Sequence, residues 1–331
     1  MGWADGPPPR AYRRRQRHGR SVARDLPHGR QPRARGSSTM GTTEGNNGAV
    51  VAGTDGSDHA TRAVRWAAEE AELSGRPLLI VSATATRPQA LYLSPQDIRE
   101  MNRFAEDVLA QAATLARGLA PTARVTTRVC DGRAAACLIA EAGPGTLLVV
   151  GSRGRGGFAS LLVGSDSLRV AAQSPVPVTV VPGGPEHGRT GVVLAAARDA
   201  RDEETLRTAA SLAARRGAAL EVVSAWVLFE NVGSMATMFS GADLDRIASD
   251  QAAATSRLAA LAREQQPGLT VTERVTRATS VAEALVTGSV HADMIVLGAR
   301  RRALPVGSAL GGVTHAVLHH AQCPVVLVPH A

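Results

Sequence analysis

The residues best suited to chemistry form a glycine-rich segment, Gly151-Ser-Arg-Gly154, followed after nine intervening residues by Gly164-Ser165. It comes after an apolar run and opens a stretch of helical periodicity, so it is predicted to join a strand to a helix. Glycines let the backbone turn tightly and approach a ligand, while the unpaired N–H groups of a helix N-terminus favour an anion. The Ser165 hydroxyl adds a donor, and Arg153 can screen negative charge. The segment therefore predicts a phosphate-binding loop.

A second polar turn, Gly53-Thr-Asp55-Gly-Ser57, follows the first apolar run of the chain. A carboxylate at this point can accept hydrogen bonds from a ribose hydroxyl or an adenine amine. The alternative is an Asx turn that leads into the next helix. Taken together with the glycine-rich segment, contact of Asp55 with a ligand is the favoured interpretation.

The elements that must position these residues occur twice, because the sequence repeats itself. The similar pairs are 50–84 with 192–226, 147–154 with 294–301, and 176–182 with 323–329. A Gly/Pro-rich join lies at 183–188. We therefore predict two tandem domains, one at 48–183 and one at 189–331.

Within each repeat, short Val/Leu/Ile-rich runs alternate with stretches of helical periodicity. This pattern predicts a parallel sheet covered on both faces, and right-handed crossovers then give a doubly wound α/β domain. Ser57 or Asp58 is predicted to cap the first helix, Ser94-Pro95 to begin the second, and a long helix is expected near 241–264. Ligands of such sheets bind beyond the carboxyl ends of the strands, where both polar segments fall.

Three segments resemble the ATP-binding branch of the universal stress protein (UspA-like) family: VVAGTDGS at 50–57, the Gly-x2-Gly-x9-Gly-Ser loop, and PVPVTVVP at 175–182. The resemblance covers about residues 48–331. It implies two five-stranded parallel sheets of order 3-2-1-4-5, the fold of the adenine nucleotide α-hydrolases. It also implies that the first domain binds ATP or a related adenine nucleotide, alone or with Mg²⁺.

By that resemblance Asp55 contacts the base or ribose, and Gly53 lies close to the base. Backbone and hydroxyl groups around the phosphates would come from Gly151, Arg153, Gly154, Gly164 and Ser165. Family members usually dimerise through the last strand, and in a tandem chain 176–182 and 323–329 can pair internally instead. The resemblance also implies a cytoplasmic stress-response regulator that senses nucleotide and acts on a regulatory protein, which the sequence does not identify.

The second repeat departs from this pattern at three places. Ala197 replaces Asp55, Arg301 replaces Gly154, and Gly311-Gly312 replaces Gly164-Ser165. We therefore predict weak or no binding of adenine nucleotide there. Two alternatives concern other ligands: Arg300 to Arg302 could clamp another anion, and His315 with His319 could hold a metal. A solvated basic rim and an exposed helix face are the simpler interpretations.

An enzyme is the competing class of function, either a weak ATP hydrolase or an adenylating enzyme of a related fold. Asp131 and Ser152 are candidates for positioning water, but neither has a visible partner in the sequence. The chain contains no lysine, which excludes a phosphate loop that depends on lysine and Schiff-base catalysis. We therefore expect a binding protein with at most slow, incidental ATP hydrolysis.

The first 39 residues carry ten Arg against two Asp, a net of +8 that equals the formal charge of the whole chain. Because this segment has few hydrophobic residues, we predict disorder over 1–47, with Met40 as a possible true start. A basic arm for nucleic acid or anionic lipid is the alternative, although nucleic-acid binding is not expected of a body with no net charge.

Two further expectations concern location. No apolar run is long enough for a membrane-spanning helix. Three cysteines, Cys130, Cys137 and Cys323, lack metal-type spacing, and without a secretory signal they are predicted to be reduced thiols in the cytosol.

Overall fold

A computed structural model describes residues 48–84, 93–155, 162–184, 188–226, 241–299 and 310–330. The predictions for 1–47, for Met40 and for Arg300 to Arg302 fall outside these residues. None of the helices in the described part of the chain is long and apolar enough to cross a membrane.

The first half alternates strands and helices as predicted. Its elements are β1 (Val50–Gly53), α1 (Asp58–Ser74), β2 (Leu78–Ala83), α2 (Pro95–Leu119), β3 (Val125–Cys130), α3 (Ala134–Ala140), β4 (Leu147–Gly151), α4 (Ser165–Gln173) and β5 (Val178–Val181). Ser57 caps α1, with its side chain accepting from the Ala60 N–H. Ser94 and Asp97 form a reciprocal capping box at the start of α2, followed by Pro95 at a position where no N–H is needed.

The second half repeats this order. Its elements are β6 (Val192–Ala196), α5 (Glu203–Arg216), β7 (Ala219–Trp226), α6 (Gly241–Gln265), β8 (Val271–Arg277), α7 (Val281–Gly288), β9 (Met294–Ala299), α8 (Gly312–His320) and β10 (Val325–Pro329). The long helix expected near 241–264 is α6. Short 3₁₀ turns precede α5 and follow α7.

The ten strands of the described residues form one sheet, in the order β3-β2-β1-β4-β5-β10-β9-β6-β7-β8. Each half has the predicted order 3-2-1-4-5, and the strands within a half are parallel. The halves meet where β5 and β10 pair antiparallel, with Val180 opposite Val325 and Val178 opposite Leu327. The predicted α/β fold is therefore confirmed, and the segments 176–182 and 323–329 lie together within one chain.

Packing differs between the two faces of the sheet. On the face of α3, α4, α7 and α8, one hydrophobic core runs continuously across both halves. On the other face each half has its own core, beneath α1 and α2 or beneath α5 and α6, and Trp66 packs against both. A charged cluster joins the halves on this second face.

That cluster centres on Glu70 of α1, whose side chain is fully buried. Its carboxylate oxygens lie 2.7 Å from Nη2 of Arg215 and 2.7 Å from Nη2 of Arg216, both on α5. The Arg216 guanidinium also lies 5.2 Å from the centre of the Trp66 ring. Because a buried charge is costly without partners, loss of the arginines from one half would leave Glu70 of the other half uncompensated.

The expectation of three reduced cysteines was wrong. Cys130, the last residue of β3, and Cys137, in the middle of α3, form a disulfide with a Cα–Cα distance of 6.1 Å. Sequence spacing gave no sign of this pairing, because it depends on α3 folding back against the end of β3. Cys323 alone is a free thiol, and it is buried.

Candidate functional site

A cavity of about 430 Å³ lies at the carboxyl ends of β1 and β4, against the N-terminus of α4. Its volume falls in the range of about 300–1,000 Å³ that is usual for small-molecule sites. All seven residues predicted as ligand contacts line it: Gly53, Asp55, Gly151, Arg153, Gly154, Gly164 and Ser165. The two candidates for positioning water, Asp131 and Ser152, are not among its lining residues. The polar turn after β1 and the loop after β4 thus form one site.

Asp55 ties these two segments together. Its Oδ1 accepts from the Ser57 N–H at 3.0 Å, and its Oδ2 accepts from the Arg155 N–H at 2.6 Å. The first bond is the Asx turn considered as an alternative, while the second reaches across 100 residues to the glycine-rich loop. Each carboxylate oxygen can accept more than one hydrogen bond, so neither bond prevents contact with a ligand.

Two glycines of the loop are required by the protein's own packing. A Cβ at Gly151 would lie 2.6 Å from the His59 carbonyl oxygen, and a Cβ at Gly154 would lie 2.6 Å from Asp55 Oδ2. At Gly151 the obstacle is backbone, whereas at Gly154 it is the end of the Asp55 side chain, which would have to move. Sequence reasoning attributed these glycines to close approach of a ligand, whereas here they first allow the loop to close against the turn after β1.

The other end of the loop supplies a helix N-terminus. Gly164 is the N-cap of α4, and as a glycine it has no side chain that could cap that end. Its own N–H donates to the Ser152 carbonyl at 2.7 Å, while Ser167 Oγ donates to the Gly151 carbonyl at 2.7 Å. These bonds hold the two ends of the loop together and leave the first turn of α4 facing the cavity, a favourable place for an anion.

Charged groups around the loop are of both signs. Arg153 lines the cavity, and the guanidinium of Arg155 lies 4.2 Å from the centre of the Phe104 ring on α2. Asp166, in the first turn of α4, also lines the cavity.

Beneath the loop, His59 Nδ1 lies 3.2 Å from Ser152 Oγ. Burial, followed by the charges of nearby arginines, lowers the pKa of His59 below its ordinary value.

The cavity also has apolar walls. They come from the end of β2, from α3, from β4 and from α4: Val81, Ala83, Ala134, Leu138, Val150 and Val170. An apolar chamber beside a polar helix N-terminus fits a ligand with a flat ring at one end and an anionic group at the other. Sequence reasoning missed these residues, and the four-residue spacing of Ala134 and Leu138 was the one signal that placed two of them on a common helix face.

The second half arranges its carboxyl-end residues differently. Arg198, one residue after Ala197, pairs with the fully buried Asp202 through Nη2 at 2.9 Å and Nε at 3.2 Å. His330 Nε2 lies 3.1 Å from the same carboxylate. A Cβ at Gly298, the counterpart of Gly151, would lie 1.8 Å from His330 Nε2, so this ring fills the space beside the end of β9. Weak or absent nucleotide binding in this half stays a prediction.

Two of the three histidines of α8 stack on each other, and the third, His320, is exposed. The rings of His315 and His319 lie 4.4 Å apart between centres, at 25° to each other. Burial and the neighbouring His315 and His320 lower the pKa of His319. Among the described residues, no group of three or more His, Cys, Asp or Glu side chains is arranged to hold a metal ion.

Comparison with known proteins places this arrangement in a family. The universal stress protein family (Usp) matches the chain twice, over residues 47–182 and 190–329. Universal stress protein Rv2005c of Mycobacterium tuberculosis is 28% identical over 293 residues, which cover 84% of this chain and 96% of that protein. The chain therefore belongs to the universal stress protein family, and it contains two copies of the family's domain in tandem.

Solved structures agree with the fold. The crystal structure of a universal stress protein from Archaeoglobus fulgidus DSM 4304 superposes with a TM-score of 0.62 at 20% identity, covering 87% of this chain and all of that one. A universal stress protein solved in complex with cAMP is 29% identical and covers 41% of this chain, with a TM-score of 0.33.

Proposed function

We propose that the first half binds ATP or a related adenine nucleotide in the cavity beside Asp55, and that the chain works as a nucleotide-responsive regulator. One observation carries the proposal: the seven residues selected from sequence line a single cavity that combines apolar walls with a helix N-terminus. The base and ribose would occupy the part near Gly53 and Asp55. The phosphates would lie at Gly164 and Ser165.

The charges of the site are consistent with a phosphate group that carries a divalent cation. A phosphate at the N-terminus of α4 is stabilised by the helix dipole and by Arg153. It would also approach the Asp166 carboxylate, which repels it. Mg²⁺ between phosphate and Asp166 would relieve that repulsion, since carboxylate and phosphate oxygens are its usual ligands. We therefore expect ATP to bind more tightly with Mg²⁺ than without it.

We propose a regulatory role and a cytoplasmic location rather than a dedicated enzyme. A hydrolase needs a group that activates water beside the phosphates. Ser152 is 3% exposed and its hydroxyl contacts His59, so it is poorly placed to meet a substrate water. Any hydrolysis of ATP is therefore expected to be slow and incidental. Incubating the protein with ATP and following phosphate release tests this, and turnover of about 1 s⁻¹ or faster, the ordinary range of enzymes, would contradict it.

The direct test is calorimetric titration of the full chain with ATP. We expect about one site per chain, and loss of that site in Gly154→Arg, because the arginine would displace Asp55 and enter the cavity. Gly118→Ala is the matched control, since a Cβ there meets nothing within 4 Å and lies near the far end of α2. Two equivalent sites, or a Gly154→Arg variant that binds normally, would overturn the proposed site.

A further inference from the structure

The disulfide between Cys130 and Cys137 lies beside the candidate nucleotide cavity. It joins the end of β3, an outer strand of the sheet, to the middle of α3. The residues that flank it on the helix, Ala134 and Leu138, belong to the apolar walls of the cavity. The covalent bond and the cavity wall therefore belong to the same short helix.

The two ends of α3 are held differently: its end is tied to β3 by the ion pair of Glu141 with Arg128, while its start depends on the packing of Ala135 and on the disulfide. The helix has seven residues, and its N-cap, Arg133, makes no side-chain hydrogen bond to the first turn. A helix of this length is unstable by itself, because too few backbone bonds offset the cost of the first turn. Its stability must come from packing, from that ion pair and from the covalent link to β3. A disulfide acts by restricting the alternative conformations of the segment that it closes.

Helix α3 is in direct contact with the backbone of the candidate nucleotide site. Leu138 is 5% exposed, and its Cδ1 lies 2.8 Å from where a Cβ would stand on Gly53. Leu138 thus packs against the backbone that leads into Asp55. A displacement of α3 would open the apolar wall and remove the support beneath Gly53 at the same time.

We propose that the Cys130–Cys137 bond is a redox switch for the nucleotide site: the oxidised form holds α3 in place and binds nucleotide tightly, and reduction loosens α3 and weakens binding. This inference rests on the proposed function, since it concerns control of the same cavity. In this role, the thiol reductants around the protein set the redox state of the two cysteines, and that state sets the affinity for nucleotide.

The chemistry is thiol–disulfide exchange with an external dithiol. One thiolate of the reductant attacks Cys130 Sγ, which is half-buried, whereas Cys137 is 4% exposed. The Cys137 thiolate leaves and takes up a proton. The second thiolate of the reductant then displaces Cys130, so the protein gains two thiols and the reductant leaves as a cyclic disulfide. Two electrons pass from the reductant to the protein.

Cys323 takes no part in this exchange and provides the control. It is 3% exposed, in the bend that precedes β10 in the other half, and burial raises the pKa of its thiol to about 12. Because the thiolate is the reactive form, Cys323 is inert at neutral pH.

The test is titration of the full chain with ATP, oxidised and after treatment with dithiothreitol. Reduction is expected to raise the Kd about fivefold or more, the lower end of typical coupling between sites. Cys130→Ser should bind like the reduced protein and lose its response to the reductant. Cys323→Ala should keep that response. Equal Kd values for the oxidised and reduced wild-type protein would refute the switch and leave the proposed function standing.

A second measurement is independent of nucleotide. Hydrogen–deuterium exchange at the amides of α3 should be faster in the reduced protein, while exchange in α1 should not change. Unchanged exchange in α3 would also refute the switch. Failure of ATP to bind either form would instead refute the proposed function, and with it the control of nucleotide affinity.

Discussion

Gly154→Ala offers a sharp test of how the site is built. The added Cβ would lie 2.6 Å from Asp55 Oδ2, well inside the usual contact distance, so the carboxylate must move away. That oxygen accepts the Arg155 N–H at 2.6 Å, and the movement breaks this bond. A hydrogen bond to a charged group contributes about 1.5–3 kcal/mol. If the bound state needs the loop closed, the loss corresponds to roughly a 10- to 100-fold rise in the Kd for ATP.

A double-mutant cycle separates this mechanism from simple obstruction of the ligand. In an Asp55→Ala background the clashing atom is gone, so adding Gly154→Ala should change the Kd by less than about twofold. The two substitutions should also be non-additive in the free energy of unfolding, measured with urea and without nucleotide, because the Asp55 contact exists without ligand. Equal, additive costs in the two backgrounds would show that the methyl group acts on something other than Asp55, and the reasoning would fail.

Two further predictions concern stability. Glu70→Gln should lower the free energy of unfolding by an amount at the lower end of about 3–5 kcal/mol, because it removes the buried counter-charge of two partly exposed arginines, Arg215 and Arg216. Glu69→Gln, which disrupts only an exposed pair at 3.5 Å, should cost less than about 1 kcal/mol. Urea unfolding measures both, and similar costs would contradict the argument from burial. The pKa of His59 is lower in the folded protein than in the unfolded chain, where it is about 6.5. As the pH drops below about 6.5, the unfolded chain therefore takes up the proton first, and the free energy of unfolding should fall. His59→Gln should reduce that fall, as measured by unfolding at pH 7.5 and pH 5.5, and an identical pH dependence in the variant would count against it.

Much of the fold could be predicted because the repeat and the strand pattern are local properties of the sequence. Alternating apolar runs and amphipathic stretches indicate the layers, and Ser94 with Pro95 marks a helix start through short-range capping chemistry. The same local patterns could not decide whether 176–182 pairs within the chain or with another copy. Both arrangements need the same apolar strand, and only the path of the chain distinguishes them.

Features contained in one short segment were predictable, and contacts between distant segments were not. Gly151 and Gly164 belong to one recognisable loop. By contrast, the network of Arg198 and His330 joins residues 132 positions apart, and the stacking of Arg155 on Phe104 joins two different elements. Such contacts depend on tertiary packing, which composition and spacing do not encode.

The antiparallel seam also decides which edges of the sheet remain open. With β5 and β10 paired to each other, the outer strands are β3 and β8. Their exposed positions carry threonines and charges, among them Arg128 and Glu273, each held in an ion pair. Polar, charged edges resist the addition of further strands, which is how natural sheets avoid aggregation. Each chain therefore pairs its two apolar last strands with each other, and the polar outer strands β3 and β8 disfavour assembly by extension of the sheet.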